Sequence, residues 1–300
     1  MGSGWVALLA ATFAVTGPAP DQSIDVGGRR LHLNCMGDGR PTVILTAGMG
    51  ESGENWRSIQ PRLAKTTRVC AWDRAGLGSS DPSPDPQDVS HTTADLQRLL
   101  KAAHVIGPYV LVGHSIGSFE SLLLAYREPN SVVAMVLVDP SSPFQNRRFA
   151  AVSPAFAKFN YGRLKERTTL LRECASALRS GKPRAEGCSN WASAEAIASM
   201  TENWDASSAQ LTKAKRSLGD IPLIVLTAGK RAPLPGDLDR ESPKVAAEWS
   251  RMHDELAAFS TRGENRQVPA AGHYIHIDQP DVVIHAIEEA VAAARASARR

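Results

Sequence analysis

The sequence lacks the features that would assign it to several large classes of protein. It has no glycine-rich phosphate-binding loop, so no nucleotide cofactor is implied. Its 34 basic residues nearly balance its 31 acidic residues, and no segment interleaves aromatic and basic side chains as nucleic-acid-binding proteins do. Its four cysteines have neither C-x-x-C nor metal-ligand spacing. We therefore predict no cofactor, no metal ion and no nucleic-acid partner.

The N-terminal region does not contain a hydrophobic run long enough to span a membrane. The apolar stretch over residues 5–15 is too short to cross a bilayer, but it has the length of a signal-peptide core. The basic residue that usually precedes such a core is missing from residues 1–4. We interpret residues 1–20 as a possible leader, which predicts a periplasmic or secreted protein. The alternative is an apolar N-terminal helix in a cytoplasmic protein.

The cysteines are few, and their number is compatible with either compartment. An exported protein with four cysteines can form two disulfides, with three possible pairings. A cytosolic enzyme would instead keep four buried free thiols. The four residues are Cys35, Cys70, Cys174 and Cys188.

The 300 residues contain 43% hydrophobic residues, which is typical of one large globular domain with room for an insertion. Short apolar runs alternate with stretches of helical periodicity. Such alternation predicts an α/β fold with a mostly parallel, doubly wound sheet. Predicted strands cover residues 23–26, 30–35, 42–46, 67–72, 109–112, 132–138, 221–227 and 265–268. Predicted helices cover residues 56–64, 92–103, 115–126, 244–260 and 281–298.

One long segment interrupts this alternation. Residues 141–220 have helical periodicity and little strand character. We predict that they form a helical lid, inserted after the strand that ends at Asp139. The α/β core would then consist of residues 21–140 and 221–300.

The segment Gly113-His114-Ser115-Ile116-Gly117 fits the nucleophile elbow G-x-S-x-G. In an elbow the serine occupies a sharp turn between a strand and a helix, and glycines avoid collisions two residues to either side. A strand is predicted directly before this segment and a helix directly after it, which is the context that the motif requires. We predict that Ser115 is a catalytic nucleophile and that the Ile116 amide donates to the oxyanion. His114 occupies the variable position, so we expect its side chain to point away from the attacking geometry.

A serine hydroxyl needs a base to remove its proton. In this motif's architecture the base comes last in the chain. His273 follows the last predicted strand and precedes the last predicted helix, so we predict that it is the base. His276 is a competitor, although a second histidine at such a position more often packs or orients the loop.

Several motifs in the right order resemble the α/β-hydrolase superfamily from about Ser23 to Ala298. These segments are TAGMGESGENW (46–56), VCAWDRAGLGSS (69–80), VGHSIGS (112–118), VLVDPS (136–141) and AGHYIHIDQPD (271–281). The resemblance implies a sheet of the eight-stranded type. It also implies that the Met49 amide is the second oxyanion donor, although the family's frequent His-Gly-x is Ala47-Gly48-Met49 here.

The resemblance leaves the acid of the triad open. Many family members carry it three residues after the glycine that follows the post-lid strand, but that position here is Ala232. Other members carry it at the end of the strand after the nucleophile helix, where Asp139 lies. We favour Asp139, with Asp237 or Asp239 as the alternative. The resemblance also makes Cys35–Cys70 and Cys174–Cys188 the reasonable disulfide pairs in an exported protein.

Together these residues predict a serine hydrolase that cleaves a small-molecule carboxylic ester through an acyl-enzyme. Lactone, amide or peptide, and carbon–carbon bond hydrolysis are alternatives within the same fold. Haloalkane dehalogenation is disfavoured, because that chemistry uses an aspartate where Ser115 stands. An alternative of another class is a non-catalytic receptor that binds its ligand on this scaffold. The sequence does not indicate an oligomeric state.

Overall fold

The computed structural model describes residues 21–182, 188, 190–231 and 233–298. The predicted leader, residues 1–20, lies outside the described residues. Eight strands form one sheet in the spatial order β1-β2-β4-β3-β5-β6-β7-β8. The strands are β1 Gln22–Asp25, β2 Arg30–Met36, β3 Thr42–Thr46, β4 Val69–Trp72, β5 Tyr109–His114, β6 Val132–Val138, β7 Leu223–Ala228 and β8 Gly263–Val268.

The strands β3 to β8 are parallel, whereas β1 and β2 form an antiparallel edge next to β4. All five residues of β3 are buried. A continuous buried run is expected for a central parallel strand that is covered on both faces. The predicted mostly parallel, eight-stranded α/β sheet is therefore confirmed.

Helices cover both faces of this sheet. Outside the interval between β6 and β7 they are α1 Gln60–Leu63, α2 Val89–Ala102, α3 Gly117–Arg127, α8 Ser242–Ala257, α9 Ile275–Asp278 and α10 Pro280–Ser297, with 3₁₀ helices at Gly53–Trp56 and Gly236–Glu241. Successive side chains of a strand point to opposite faces. Ile44 therefore packs into one apolar layer with Phe119 of α3, whereas Val43 packs into the other with Ile287 of α10.

The helix predicted over residues 56–64 is wrong in its extent. The chain instead forms the 3₁₀ helix Gly53–Trp56 and then the short helix α1. Pro61 lies in the first turn of α1, where its missing N–H is tolerated. A continuous helix through residue 61 would lose a backbone hydrogen bond and clash with the preceding turn.

The interval between β6 and β7 is helical, as predicted for residues 141–220. It contains α4 Gln145–Val152, α5 Pro154–Arg179, α6 Trp191–Glu202 and α7 Trp204–Ala214. No strand occurs there among the residues that the structure describes. The predicted interruption of the strand–helix alternation is therefore present.

Both expected disulfides are present. Cys35 and Cys70 face each other across β2 and β4, with their Cα atoms 4.0 Å apart. Cys174, near the end of α5, is joined to Cys188, which precedes α6. Among the described helices, none is long and apolar enough to cross a membrane.

Candidate active site

Ser115 lies in a tight turn between β5 and α3. Its backbone has the left-handed φ of 51°, which is uncommon for a residue with a side chain. The Ser115 amide donates to the Val138 carbonyl at 3.1 Å, and the Ser141 amide donates to the Ser115 carbonyl at 2.9 Å. The turn is thus fixed to the end of β6 and to the segment that follows it. The N-terminus of α3 begins two residues after Ser115, where its dipole favours negative charge.

The two glycines of the elbow are required by close backbone contacts. A Cβ atom on Gly113 would lie 2.5 Å from the Gly117 carbonyl oxygen. A Cβ atom on Gly117 would lie 2.5 Å from the Thr46 carbonyl oxygen. The spacing of the motif therefore follows from the tight packing of the turn against itself and against β3.

Asp139 directly follows β6 and contacts the predicted base. Its Oδ2 lies 2.7 Å from Nδ1 of His273. Its Oδ1 accepts from the Ala228 amide at 3.0 Å and from the Trp249 indole at 2.9 Å. Burial acts to raise the pKa of Asp139, but the hydrogen bonds from His273 and Trp249 outweigh it, so the pKa is lowered. The buried carboxyl group is therefore held in its charged form.

The two alternative acids lie elsewhere. Asp237 and Asp239 are exposed in the 3₁₀ helix that precedes α8. Asp237 pairs with Arg240 at 3.0 Å. Oδ1 of Asp239 accepts from the Leu234 amide and from the Ser242 hydroxyl, both at 2.9 Å. These contacts fold the loop on itself, and the structure places Asp139, not this loop, against His273.

His253 contacts the backbone of the loop that carries Asp139. Its Nε2 lies 2.8 Å from the Pro140 carbonyl oxygen, and its Nδ1 lies 2.7 Å from the Thr227 hydroxyl. Burial lowers the pKa of His253 to about 4. A neutral imidazole that donates to a carbonyl adds a hydrogen bond without adding charge beside Asp139.

The predicted oxyanion donors belong to two adjoining turns. Met49 follows β3, and Ile116 is the residue after the nucleophile. Across the described part of the chain, no protein acceptor takes the N–H of either residue. The neighbouring Gly48 is fixed from both sides, because its N–H donates to Glu51 at 2.6 Å and its carbonyl accepts from Arg74 at 3.0 Å.

His114, whose side chain was expected to point away from the attacking geometry, is buried and makes a contact through each ring nitrogen. Its side chain is 1% exposed, with Nδ1 3.0 Å from Oε2 of Glu51 and Nε2 3.0 Å from the carbonyl oxygen of His273. Sequence reasoning missed Glu51 altogether. The available signal was a glutamate between two glycines of the segment that follows β3, Gly50 and Gly53.

His276 packs against His114 and is completely buried. Its ring is 4.5 Å from the His114 ring and 4.7 Å from the Trp56 ring, centre to centre. Burial, with the neighbouring His114, lowers the pKa of His276 to about 3. Potential ligand atoms of Glu51, His114 and His276 lie within 4.8 Å of one another, so this cluster contains residue types that bind metal ions.

Helix α6 lies over the loop that contains Met49. The Thr201 hydroxyl is 3.5 Å from the Met49 sulfur, and Ile197 packs against Gly50. A cavity of about 700 Å³ opens among α4, α5 and the α6–α7 junction. Its apolar lining includes Phe149, Ala157, Tyr161, Leu164 and Trp204.

A model of the alpha/beta hydrolase family matches residues 43–286. The uncharacterized protein YqjL of Bacillus subtilis (strain 168) is 27% identical over 275 residues, which cover 91% of this chain and 93% of YqjL. A haloalkane dehalogenase DbeA-M1 loop variant from Bradyrhizobium elkanii has a similar fold, with a TM-score of 0.68, 17% identity and coverage of 93% of this chain and 97% of that chain. The epoxide hydrolase CorEH also has a similar fold, with a TM-score of 0.58, 22% identity and coverage of 91% and 97%. Because the family match spans most of the sequence, the chain belongs to the alpha/beta hydrolase family.

Proposed function

We propose that this protein is a serine hydrolase that cleaves a carboxylic ester through an acyl-enzyme. The observation that carries the proposal is the 2.7 Å contact between His273 and Asp139, at the same edge of the sheet as the Ser115 elbow. A nucleophile, a buried acid and a base, in this chain order, fit the α/β-hydrolase form of the triad.

In the proposed reaction, the Ser115 hydroxyl attacks the ester carbonyl while Nε2 of His273 takes the hydroxyl proton. The amides of Met49 and Ile116 hold the oxyanion, and Asp139 stabilises the charged imidazole through Nδ1. The tetrahedral intermediate collapses, and the alcohol leaves with the proton from His273. Water then attacks the acyl-serine with His273 again as base, which releases the acid and restores Ser115.

We also propose that helices α4 to α7 act as the lid. The contacts of α6 with Met49 and Gly50 support this role, because they place the inserted helices against one side of the predicted oxyanion loop. In this scheme the inserted segment shapes the substrate pocket. Export to the periplasm or outside the cell remains part of the proposal, and the two disulfides support it.

Other chemistries on this fold are the competing candidates. Lactonase, amidase or peptidase, and carbon–carbon bond hydrolase activity use the same kind of triad. Two solved relatives are named for epoxide and haloalkane chemistry. Haloalkane cleavage is disfavoured by the serine at position 115, since that chemistry uses an aspartate there. Release of p-nitrophenol from short-chain and medium-chain esters, compared with release of p-nitroaniline from the matching anilides, separates esterase from amidase.

Labelling by a serine-directed fluorophosphonate tests the enzyme class. The wild-type protein is expected to incorporate about one label per chain, whereas Ser115→Ala incorporates none. Ser217→Ala is the matched control and is expected to label normally. It removes an exposed serine between α7 and β7. Labelling that persists in Ser115→Ala contradicts the assignment of Ser115 as the nucleophile. A wild-type protein that does not label contradicts the enzyme class and favours the receptor alternative.

A further inference from the structure

The geometry points to Glu51 and His114 as a charged positioning pair. The pair holds the oxyanion loop, residues 47–51, in a fixed position relative to the loop that carries His273. The inference rests on the proposed function, because it concerns how Ser115, His273 and Met49 are brought into line. It adds two residues that have no role in the triad or the oxyanion hole.

The hydrogen bonds of His114 determine where its protons are. A carbonyl oxygen can only accept, so the contact with the His273 carbonyl requires a proton on Nε2 of His114. The other ring nitrogen, Nδ1, faces Oε2 of Glu51. That same oxygen also accepts from the Gly48 amide, which is the behaviour of a carboxylate. The proposal assigns the second proton to Nδ1, so that His114 and the carboxylate of Glu51 form an ion pair.

The groups around the pair agree with this assignment. Burial acts to raise the pKa of Glu51, but the contacts with His114 and Gly48 outweigh it, and the pKa is lowered. The remaining titratable groups that face His114 are the rings of His273, Tyr274 and His276, with centres 4.7, 5.4 and 4.5 Å away. His276 is neutral because its pKa is lowered to about 3. Burial and the nearby Glu51 raise the pKa of Tyr274, so the phenol is also uncharged.

The pair connects three loops that must be aligned for catalysis. Glu51 fixes Gly48, the residue before the predicted oxyanion donor Met49. His114 is covalently adjacent to Ser115 and holds the backbone of His273. Because a shift of about 1 Å in a reacting group can cost about a hundredfold in rate, a rigid link between these loops acts on turnover rather than on substrate binding.

A metal ion is the competing explanation for the cluster of Glu51, His114 and His276. A metal-bound histidine must offer a lone pair, but both ring nitrogens of His114 are committed as donors to oxygen atoms. Binding a cation there would require loss of the contact between His114 and Glu51. The hydrogen bonds therefore favour the ion pair, and zinc binding becomes one of the outcomes of the test.

Glu51→Gln is the sharpest variant, because it keeps the shape and removes the charge. The oxygen that contacts both Gly48 and His114 can become an amide oxygen, which removes the counter-charge, so His114 is expected to lose its second proton and one of its two contacts. If the amide nitrogen takes that place instead, it opposes the Gly48 N–H. We expect kcat for a p-nitrophenyl ester to fall by about tenfold to a hundredfold, with KM within about threefold of wild type. His114→Gln, which cannot carry the charge, is expected to change kcat in the same direction.

The control is Asp95→Asn, which changes another buried carboxylate. Asp95 lies on α2 and pairs with Arg98 of the same helix and with Arg29 of the turn between β1 and β2. It is expected to leave kcat within about twofold of wild type. The spectroscopic readout is the ¹⁵N spectrum of the histidine rings at pH 7. Wild-type His114 is expected to show two protonated ring nitrogens, and Glu51→Gln one.

The pair is overturned if Glu51→Gln keeps kcat within about twofold of wild type, or raises KM alone. It is also overturned if His114 is neutral in the wild-type protein, or if zinc binds stoichiometrically and Glu51→Gln abolishes that binding. If Glu51→Gln does not fold, His114→Gln and the wild-type ring spectrum decide. Failure of the proposed function is distinguishable, because the wild-type protein itself would then neither label with fluorophosphonate nor turn over.

Discussion

At the scale of single residues, Asp139 is satisfied on both sides of its carboxyl group. One oxygen accepts from Ala228 and Trp249, and the other contacts His273. A buried charge is tolerated when hydrogen bonds replace its lost hydration. The same contacts fix which oxygen faces the base, so the carboxylate also orients the imidazole.

Asp139→Asn is expected to reduce kcat by about 10⁴-fold while the protein stays folded. The amide oxygen is required on the side of Ala228 and Trp249, because both donate. The amide nitrogen must then face Nδ1 of His273, which becomes an acceptor, so the proton moves to Nε2 and the base is lost. Steady-state hydrolysis of a p-nitrophenyl ester measures the effect. Asp237→Asn and Asp239→Asn are the controls, and a full loss of turnover in either one would shift the acid to that loop.

The sequence could identify some of these residues but not others. Ser115 and His273 belong to motifs that follow one another in a fixed order along the chain, so the sequence alone was enough to predict them. The acid had three candidates, because carboxylates from different loops can reach the same histidine. The contacts of Glu51 with His114 could not be predicted, since they depend on how the turn after β3 folds against the elbow.

At the scale of elements, the buried strands were the easiest to predict. The run of residues 42–46 is apolar on both faces, and the strand has those bounds in the structure. The segment before β4 was harder, because Pro61 divides what looked like one helix into two short turns. The inserted helices were recognised as an interruption, but their contacts with the oxyanion loop follow from tertiary packing alone.

The disulfide between Cys174 and Cys188 is expected to stabilise the inserted helices. It closes a loop with a sequence separation of 14, for which chain entropy predicts about 3 kcal/mol of stabilisation. Replacing both cysteines by serine should therefore make the end of α5 and the start of α6 open locally. Limited proteolysis should then cut this segment first, before the sheet unfolds.

The matched control replaces both Cys35 and Cys70, whose disulfide joins β2 to β4 within the sheet. That variant should lower the global unfolding midpoint without creating an early cut in the inserted helices. Equal protease resistance of the Cys174/Cys188 variant and the wild-type protein would contradict the local role.

At the scale of the whole molecule, two buried histidines should make the fold sensitive to acid. The pKa of His253 is lowered to about 4 and that of His276 to about 3, whereas an exposed histidine has a pKa near 6.5. Between these folded values and about pH 6.5, the two histidines bind protons in the unfolded chain but not in the folded protein. Their contribution to the free energy of unfolding is fully present above about pH 6.5 and is lost as the pH falls toward the folded pKa values.

The linkage gives about 2 kcal/mol for each of these histidines between pH 7 and pH 5. In His276→Gln the free energy of unfolding should therefore fall by about 2 kcal/mol less over this interval than in the wild-type protein. Urea unfolding at the two pH values measures the difference, and comparing variants cancels the other titrating groups. His285→Gln is the control, because His285 is 72% exposed, and it should keep the wild-type pH dependence. An unchanged slope in His276→Gln would contradict the prediction, because it would mean that the folded and unfolded chains bind the His276 proton equally well.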